Sequence, residues 1–392
     1  MTVLPTLVLA AAVGLCMYTY AGYPALLKLA SLIRRKTRSG APRSDWPPIS
    51  IQLPAFNEAE VIAATLEGIL ALDYPADRRQ ILVVSDASTD ATNQIVASFA
   101  HRGVELLCQP RRQGKTAAEN AARPHLTGEI IINTDASVRI HPDALKHLVA
   151  AFQDPSVGVA SARDVSVANL DAPANAGEGA YVGYEMWVRD METAVGSIVG
   201  ASGCLYAIRA ALHMHHVPEA LSRDFSAALT ARMHGRRAVS VPEALCYVPR
   251  GLSLHQEYRR KVRTITRGLA TLAHRRALLN PLRHGAFAWM LFSHKVCRWL
   301  VPWALVAALG ALGALAATVP WARVALAAAV GFGVLAGIAW LRAGEQGARV
   351  PRVLALPAYV AAGNVAVLHA WLRFVGGRSA ALWEPTRRGA LS

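Results

Sequence analysis

The sequence predicts an α/β fold, a mainly parallel sheet covered by helices and flanked by membrane-crossing segments. Three observations predict it. The apolar run Ile81-Leu-Val-Val breaks abruptly into Ser85-Asp-Ala-Ser-Thr-Asp90, with two carboxylates and three hydroxyls, and reads as a buried strand ending at a ligand site. A second run, Glu129-Ile-Ile-Ile-Asn-Thr-Asp-Ala-Ser137, repeats the pattern. Open α/β sheets bind ligands at the carboxyl ends of their strands, so both acidic ends are expected to face one pocket. Residues 49–160 also alternate short β-rich runs with helical patterns, the sequence form of a parallel sheet in a nucleotide-binding type of architecture.

Composition adds the membrane. The chain has 392 residues, 53% of them hydrophobic, and a mean hydropathy of +0.28, more than a soluble domain needs. Lys and Arg total 41 against 26 acids, a net charge of +15 that fits contact with anionic lipid head groups or phosphorylated ligands. Nucleic acid is the weakest of the partners this charge allows, because no interleaved aromatic and basic stripe accompanies it. The five cysteines, Cys16, Cys108, Cys204, Cys246 and Cys297, have no paired spacing, which argues against a zinc site or a disulfide framework and fits a reducing cytosolic face.

Taken in order, residues 1–30 are almost uncharged and, at about 1.5 Å per residue, long enough to cross a hydrocarbon core of about 30 Å. They predict a transmembrane anchor; no basic region precedes them and no clear cleavage site follows, which argues against a signal peptide. Arg34, Arg35, Lys36 and Arg38 then place the next segment in the cytoplasm under the positive-inside rule. After a Pro-containing linker (39–48), strands are expected at 49–53, 81–84, 104–107 and 130–133, with helices from about residues 58, 89 and 115. Residues 161–280 read as more mixed, with Gly-rich breaks near 177–183 and 196–203 and a charged helix over about 254–276. Residues 281–298, carrying His294, Lys295 and Arg298, read as an interfacial helix. Apolar blocks at 299–319, 321–341 and 353–375 are each long enough to span, with 321–341 also readable as re-entrant. Three such spans would put the basic tail, residues 376–392, outside, against the positive-inside expectation.

Pro54-Ala-Phe-Asn-Glu58 follows the first strand and opens a helix, so its backbone N–H groups can meet an anion while Asn57 and Glu58 supply directed hydrogen bonds. An ordinary helix cap is the simpler reading of this pentapeptide. Together with Ser85-Asp-Ala-Ser-Thr-Asp90, Arg111-Arg-Gln-Gly-Lys-Thr116 and Thr134-Asp-Ala-Ser137, in that order and spacing, it resembles the family-2 glycosyltransferases. The resemblance extends over residues 49–280 and, less specifically, to the flanking helices, which are similar to those of membrane polysaccharide synthases of the hyaluronan, poly-N-acetylglucosamine and cellulose type.

The resemblance implies a cytoplasmic GT-A domain over residues 49–280 and transmembrane helices over 299–375, in an enzyme of the inner or plasma membrane that moves a sugar from a nucleotide donor, UDP by that likeness, to a polysaccharide or lipid-linked acceptor. By the same likeness Asp86 accepts from the nucleobase, Lys115 lies near the nucleotide, and Asp90 is left to helix capping. Asp135 matches the first carboxylate of the family's Asp-x-Asp motif, which holds Mg²⁺ or Mn²⁺ against the diphosphate; Ser137 stands in place of the second. Ser222-Arg-Asp224 matches the family's Thr/Glu-Asp pair and makes Asp224 the general base of an inverting transfer. Gly200-Ala-Ser-Gly203 resembles the acceptor-side loop, with Gly200, Ser202 and Gly203 beside the acceptor. Arg260-Lys-Val-Arg-Thr264 stands where processive members have Gln-x-x-Arg-Trp. Arg263 keeps the diphosphate-binding guanidinium while Thr264 lacks the stacking ring, which favours adding one or a few sugars. Trp383-Glu-Pro-Thr-Arg-Arg388 resembles the tail of some membrane synthases. His213, His215 and His216 lack a ligand spacing and are not read as a metal site.

Two other readings share these residues. One is a polyprenyl-phosphate sugar transferase, whose phosphate acceptor needs no strong base. The other is a nucleotide-binding membrane scaffold that has lost catalysis, motivated by Ser137 and Thr264.

Overall fold

The apolar runs of the first half become the central strands of one sheet. Its strands are β1 (Ile49–Ala55), β2 (Arg79–Ser85), β3 (Val104–Cys108), β4 (Ile130–Thr134), β5 (Arg139–Ile140), β6 (Val157–Val167), β7 (Leu205–Arg209) and β8 (Arg237–Pro249), in the order β3-β2-β1-β4-β7-β6-β8-β5. The computed structural model describes residues 2–33, 45–167, 176–249, 254–343 and 352–378. The basic cluster Arg34 to Arg38, most of the linker and the tail with Trp383 lie outside the described residues. Strands β3, β2, β1 and β4 are mutually parallel; β7 runs antiparallel to both β4 and β6, and β6 and β8 are parallel.

Alternation on the central strands feeds two apolar layers. Ile81 and Val83 face one with Ile49, Ile51 and Leu53; Leu82 and Val84 face the other with Ile131 and Tyr206. All seven residues of β1 are buried, including two polar ones that bond to neighbouring segments, although Gln52 Oε1 has no hydrogen-bond partner. Ser50 Oγ donates to Gln80 Oε1 at 2.5 Å and accepts the Gly128 N–H at 2.8 Å, while Gln52 Nε2 donates to the Glu119 carbonyl at 3.0 Å.

Gly128 runs against the β1 backbone so closely that a Cβ there would stand 2.4 Å from Ser50 N. No side chain can rotate away to relieve that contact. Gly128→Ala is expected to destabilise the protein by about 3 kcal/mol, read as a lower midpoint of thermal unfolding in detergent; an unchanged midpoint would contradict so close an approach.

The second half differs from the sequence expectation. The glycines at 177–183 do not break the chain but lie in the helix Ala176–Val195. Further along, this helix buries Val188, Met191 and Val195 at helical spacing, and that packing outweighs the modest intrinsic cost of glycine.

The described residues fall into two compact units. One is the sheet unit; the other contains residues 1–30, 251–269 and 279–378. Four helices in the second unit are long and apolar enough to cross a membrane: Val3–Ile33, Ala286–Ala316, Pro320–Arg342 and Pro357–Val375. The separate interfacial helix expected at 281–298 is absent: Pro281–His284 forms a short turn, and from Ala286 the helix continues to Ala316 through a π-helical segment, Phe292–Cys297. Of the three polar residues read as an interface, His294 meets the first helix, together with its neighbours Ser293 and Trp289. Ser293 Oγ lies 2.6 Å from Tyr18 Oη, Trp289 Nε1 donates to the same Tyr18 oxygen at 2.9 Å, and the buried His294 ring lies 6.2 Å from that of Tyr23. Tyr18–Gly22 is itself π-helical. The segment readable as re-entrant forms an uninterrupted 24-residue helix, Pro320–Ala343.

Candidate active site

The strand order reverses between β1 and β4, and at such a switch point the loops leaving the two carboxyl ends diverge and open a crevice. Asn57 and Glu58 follow β1, Asp86 follows β2 and Asp135 follows β4, so four of the expected residues gather at one edge of the sheet.

The loops after β1 and β2 are laced together. Asn57 Oδ1 accepts the Thr89 N–H at 2.8 Å, its Nδ2 donates to Thr89 Oγ1 at 3.2 Å, and its own N–H donates to Ser88 Oγ at 3.2 Å. The amide of Asn57 therefore joins two loops. The Glu58 N–H donates to Thr92 Oγ1 at 2.9 Å. Asn57 (φ 53°) and Ala87 (φ 58°) are left-handed without being glycine, a strain that this lacing holds in place. Asp90, assigned to capping, stands one residue before the N-cap Ala91 of the helix Thr92–Ser98, and its carboxylate accepts the Thr92 N–H at 3.0 Å and the Ala59 N–H at 3.1 Å. Burial alone would raise its pKa, but these hydrogen bonds outweigh burial and hold the carboxyl below its ordinary range.

Asp86 is 2% exposed, and its two oxygens accept the N–H groups of Gln113 at 2.8 Å and Gly114 at 2.7 Å. It thereby anchors the loop that launches the helix Lys115–Ala122, and its remaining lone pairs are those left for any base. Gly114, at φ 94°, makes the turn into that helix. In the same loop the Arg112 guanidinium stacks 3.9 Å above the Phe56 ring. Asp86→Ala removes two charge-assisted bonds inside the fold and is expected to cost about 3 kcal/mol, measured by denaturant unfolding of the detergent-solubilised protein; a cost near zero would mean the loop holds itself.

Lys115 sits at the centre of the site. Its ammonium donates to Asp135 Oδ1 and, at 3.3 Å, to the Gly203 carbonyl. Burial works against the charged form, but Asp135, Glu119 and Asp224 outweigh it and raise the lysine pKa above its ordinary value. Gly203 then leads to Asp224, because a Cβ at Gly203 would stand 3.0 Å from Asp224 Oδ2. Asp224 occupies the first turn of the helix Arg223–Met233, a favourable place for a carboxylate, and Ser222 Oγ donates to its Oδ1. Residues from four separate segments thus meet: the helix after β3, the end of β4, the loop before β7 and the start of a later helix.

The acceptor-side loop is braced from below. Ser202 donates its N–H to Ser161 Oγ at 2.8 Å and its hydroxyl to both oxygens of Asp164, at 2.6 and 2.8 Å; Gly200 is buried. Ser137 is half-buried just beyond Asp135. Among the described residues no group of three or more Asp, Glu, His or Cys stands ready for a metal. One carboxylate, a hydroxyl and substrate phosphates suit a hard ion such as Mg²⁺, which needs few protein ligands, so Asp135 and Ser137 fit the expected metal. Arg263 lies on the helix Leu254–His274, in the part that belongs to the unit of apolar helices rather than to the sheet unit.

Sequence reasoning missed Glu119, Arg223 and Asp164. Glu119 is 1% exposed, and burial raises its pKa against the opposing pull of Lys115 and Arg223. The i,i+4 spacing from Lys115 was the available signal.

Comparison with known proteins agrees with this geometry. The sequence profile of glycosyl transferase family group 2 matches residues 130–335, more than half of the chain, and that of glycosyl transferase family 2 matches residues 50–189. β-Monoglucosyldiacylglycerol synthase of Nostoc sp. is 31% identical over 156 residues, 39% of this chain and 33% of that protein. Glycosyltransferase AglE of Haloferax volcanii is 30% identical over 116 residues, 29% of this chain and 38% of that one. The chain thus spans about a third of the length of these curated relatives. Mannosyltransferase PcManGT from Pyrobaculum calidifontis, solved in complex with GDP-Man and Mn²⁺, has a similar fold, with a TM-score of 0.71 at 24% identity covering 95% of this chain and 100% of that one. The sheet with its flanking helices is the GT-A type of fold that the motifs implied. Since the matched regions run from β1 into the apolar helices, the chain belongs to the family-2 glycosyltransferases.

Proposed function

We propose that the protein transfers a sugar, with inversion at the anomeric carbon, from a nucleoside diphosphate donor to a lipid or lipid-linked glycan acceptor at the membrane surface. The observation that carries this reading is the meeting of Lys115, Asp135, Gly203 and Asp224. Lys115 offers a fixed cation to the donor diphosphate, and Asp224 offers a carboxylate on the side of the glycine-rich acceptor loop. The acceptor hydroxyl attacks the anomeric carbon, its proton passes to Asp224, and the bond from that carbon to the β-phosphate oxygen breaks to release the nucleoside diphosphate. A divalent ion held by Asp135 and Ser137 would neutralise charge on that leaving group. Asp86 braces the donor side and leaves lone pairs for a base N–H. Membrane placement rests on the four apolar helices, with the sheet unit assigned to the cytoplasm. The lipid character of the acceptor draws support from the diacylglycerol named for the Nostoc relative.

The test is nucleotide release by purified protein in lipid bilayers, with Mg²⁺ or Mn²⁺, against UDP-sugars and GDP-mannose. Turnover of one donor in the presence of a lipid acceptor is expected. Nucleotide binding without turnover on any lipid or glycan acceptor would instead support a scaffold.

A further inference from the structure

Behind Asp224 lies a buried charge pair. Its neighbour Arg223 is 6% exposed. Arg223 Nη1 donates to Asn120 Oδ1 at 2.7 Å, and Nη2 donates to the His213 carbonyl at 3.1 Å and lies 3.1 Å from His213 Nε2. Arg223 Nε stands 3.7 Å from Glu119 Oε2, an oxygen that makes no hydrogen bond. Burial, then the charges of Arg223 and Arg123, holds His213 well below its usual range, so at neutral pH its ring stays uncharged and tolerates the guanidinium.

Stability alone is a weak reason for such a pair, because desolvating two charges offsets their attraction and neutral replacements of both are often no worse. Its position supplies a better one. Glu119 lies one turn beyond Lys115 on the same helix, and Arg223 adjoins Asp224. The same helix is stitched to the same approaching segment by Thr116 Oγ1, donating to the Leu221 carbonyl at 3.2 Å, and by Asn120 Nδ2, donating to the Val217 carbonyl at 2.7 Å.

We infer that Arg223, held by Glu119, Asn120 and His213, is a positioning residue that fixes the distance between the Asp224 carboxylate and the Lys115–Asp135 pair. This rests on reading Asp224 as the base. Arg223 touches neither donor nor acceptor. It acts by locking the helix that carries the donor-side cation to the helix turn that carries the base, so that both meet the anomeric carbon in register.

The experiment uses the full chain in bilayers with Arg223→Met, Glu119→Gln and the double variant. Each single substitution leaves a buried charge alone and is expected to lower Tm, and the double variant should recover most of that loss. In the double variant kcat is expected to stay about 10- to 100-fold down while KM for the donor stays within about twofold. Recovery of kcat together with Tm would overturn the inference and leave the pair purely structural. A parallel rise in KM would also overturn it, by moving Arg223 into donor binding. Arg223→Lys, which keeps the charge but not the planar fork, should keep Tm close to that of the parent and lower kcat at constant KM; unchanged kcat would count against positioning. Asp224→Asn is assayed alongside, because turnover surviving there removes the base assignment itself, whatever the pair does.

Discussion

Asp224→Asn is expected to slow turnover by about 1,000-fold while the donor still binds. Asparagine keeps the shape of the carboxylate and can still accept from Ser222 Oγ at the start of the helix Arg223–Met233, so the local geometry is preserved. What it loses is the capacity to take a proton. In a transfer to an alcohol that capacity is needed as the new bond forms, and the loss falls on kcat. Calorimetric titration with the nucleoside diphosphate should give a Kd within about twofold of the parent, since the carboxylate lies across Gly203 from the Lys115 side of the site. Loss of nucleotide binding in this variant would contradict the division of labour. Full activity of the variant on a polyprenyl phosphate would point to an acceptor that arrives already ionised.

Lys115→Met is expected to act on the other half of the reaction. The ammonium faces Asp135 and the Gly203 carbonyl and also feels Glu119 and Asp224, so its removal leaves a group of carboxylates without their nearest cation. An anionic diphosphate entering that space meets repulsion instead of a donor. A charge-assisted hydrogen bond is worth about 1.5–3 kcal/mol, which predicts donor affinity on the order of 10- to 100-fold weaker. Lys115→Arg should recover only part of it, because a planar fork does not replace a point charge on a shorter stem. Equilibrium titration with the nucleotide separates this from the Asp224 effect; unchanged affinity in Lys115→Met would remove the lysine from the donor site.

The parallel half of the fold was legible because burial on both faces writes a strand as an unbroken apolar run, and the switch to polar residues marks where it leaves the core. Ile81–Val84 and Ile130–Asn133 show this, and both observed strands extend only slightly beyond the expected spans. The later strands carry no such mark. β6 carries Ser161, the adjacent Arg163 and Asp164, and Ser166 among its apolar residues, and β8 contains Pro242 and Glu243 near a register shift against β6, so neither reads as a core strand. Lys115, Asp135 and Asp224, which the structure brings together, could be singled out in the sequence because each sits in a motif. Glu119 and Arg223 were not, because their pairing is a contact between residues 104 positions apart, and the i,i+4 spacing of Glu119 from Lys115 is a local sign that says nothing of Arg223.

The pairing of Tyr18 with Ser293 has a consequence for how the chain is made. The partners are 275 residues apart, and at the usual pace of translation the second emerges roughly 15–60 seconds after the first. For that interval the tyrosine hydroxyl and the π-helical turn of the first helix lack this partner and are open to any neighbour able to hydrogen-bond with them. The catalytic unit is synthesised during the same wait. The helix pair therefore closes only after the sheet unit has been made, joining segments that lie on either side of it in the sequence.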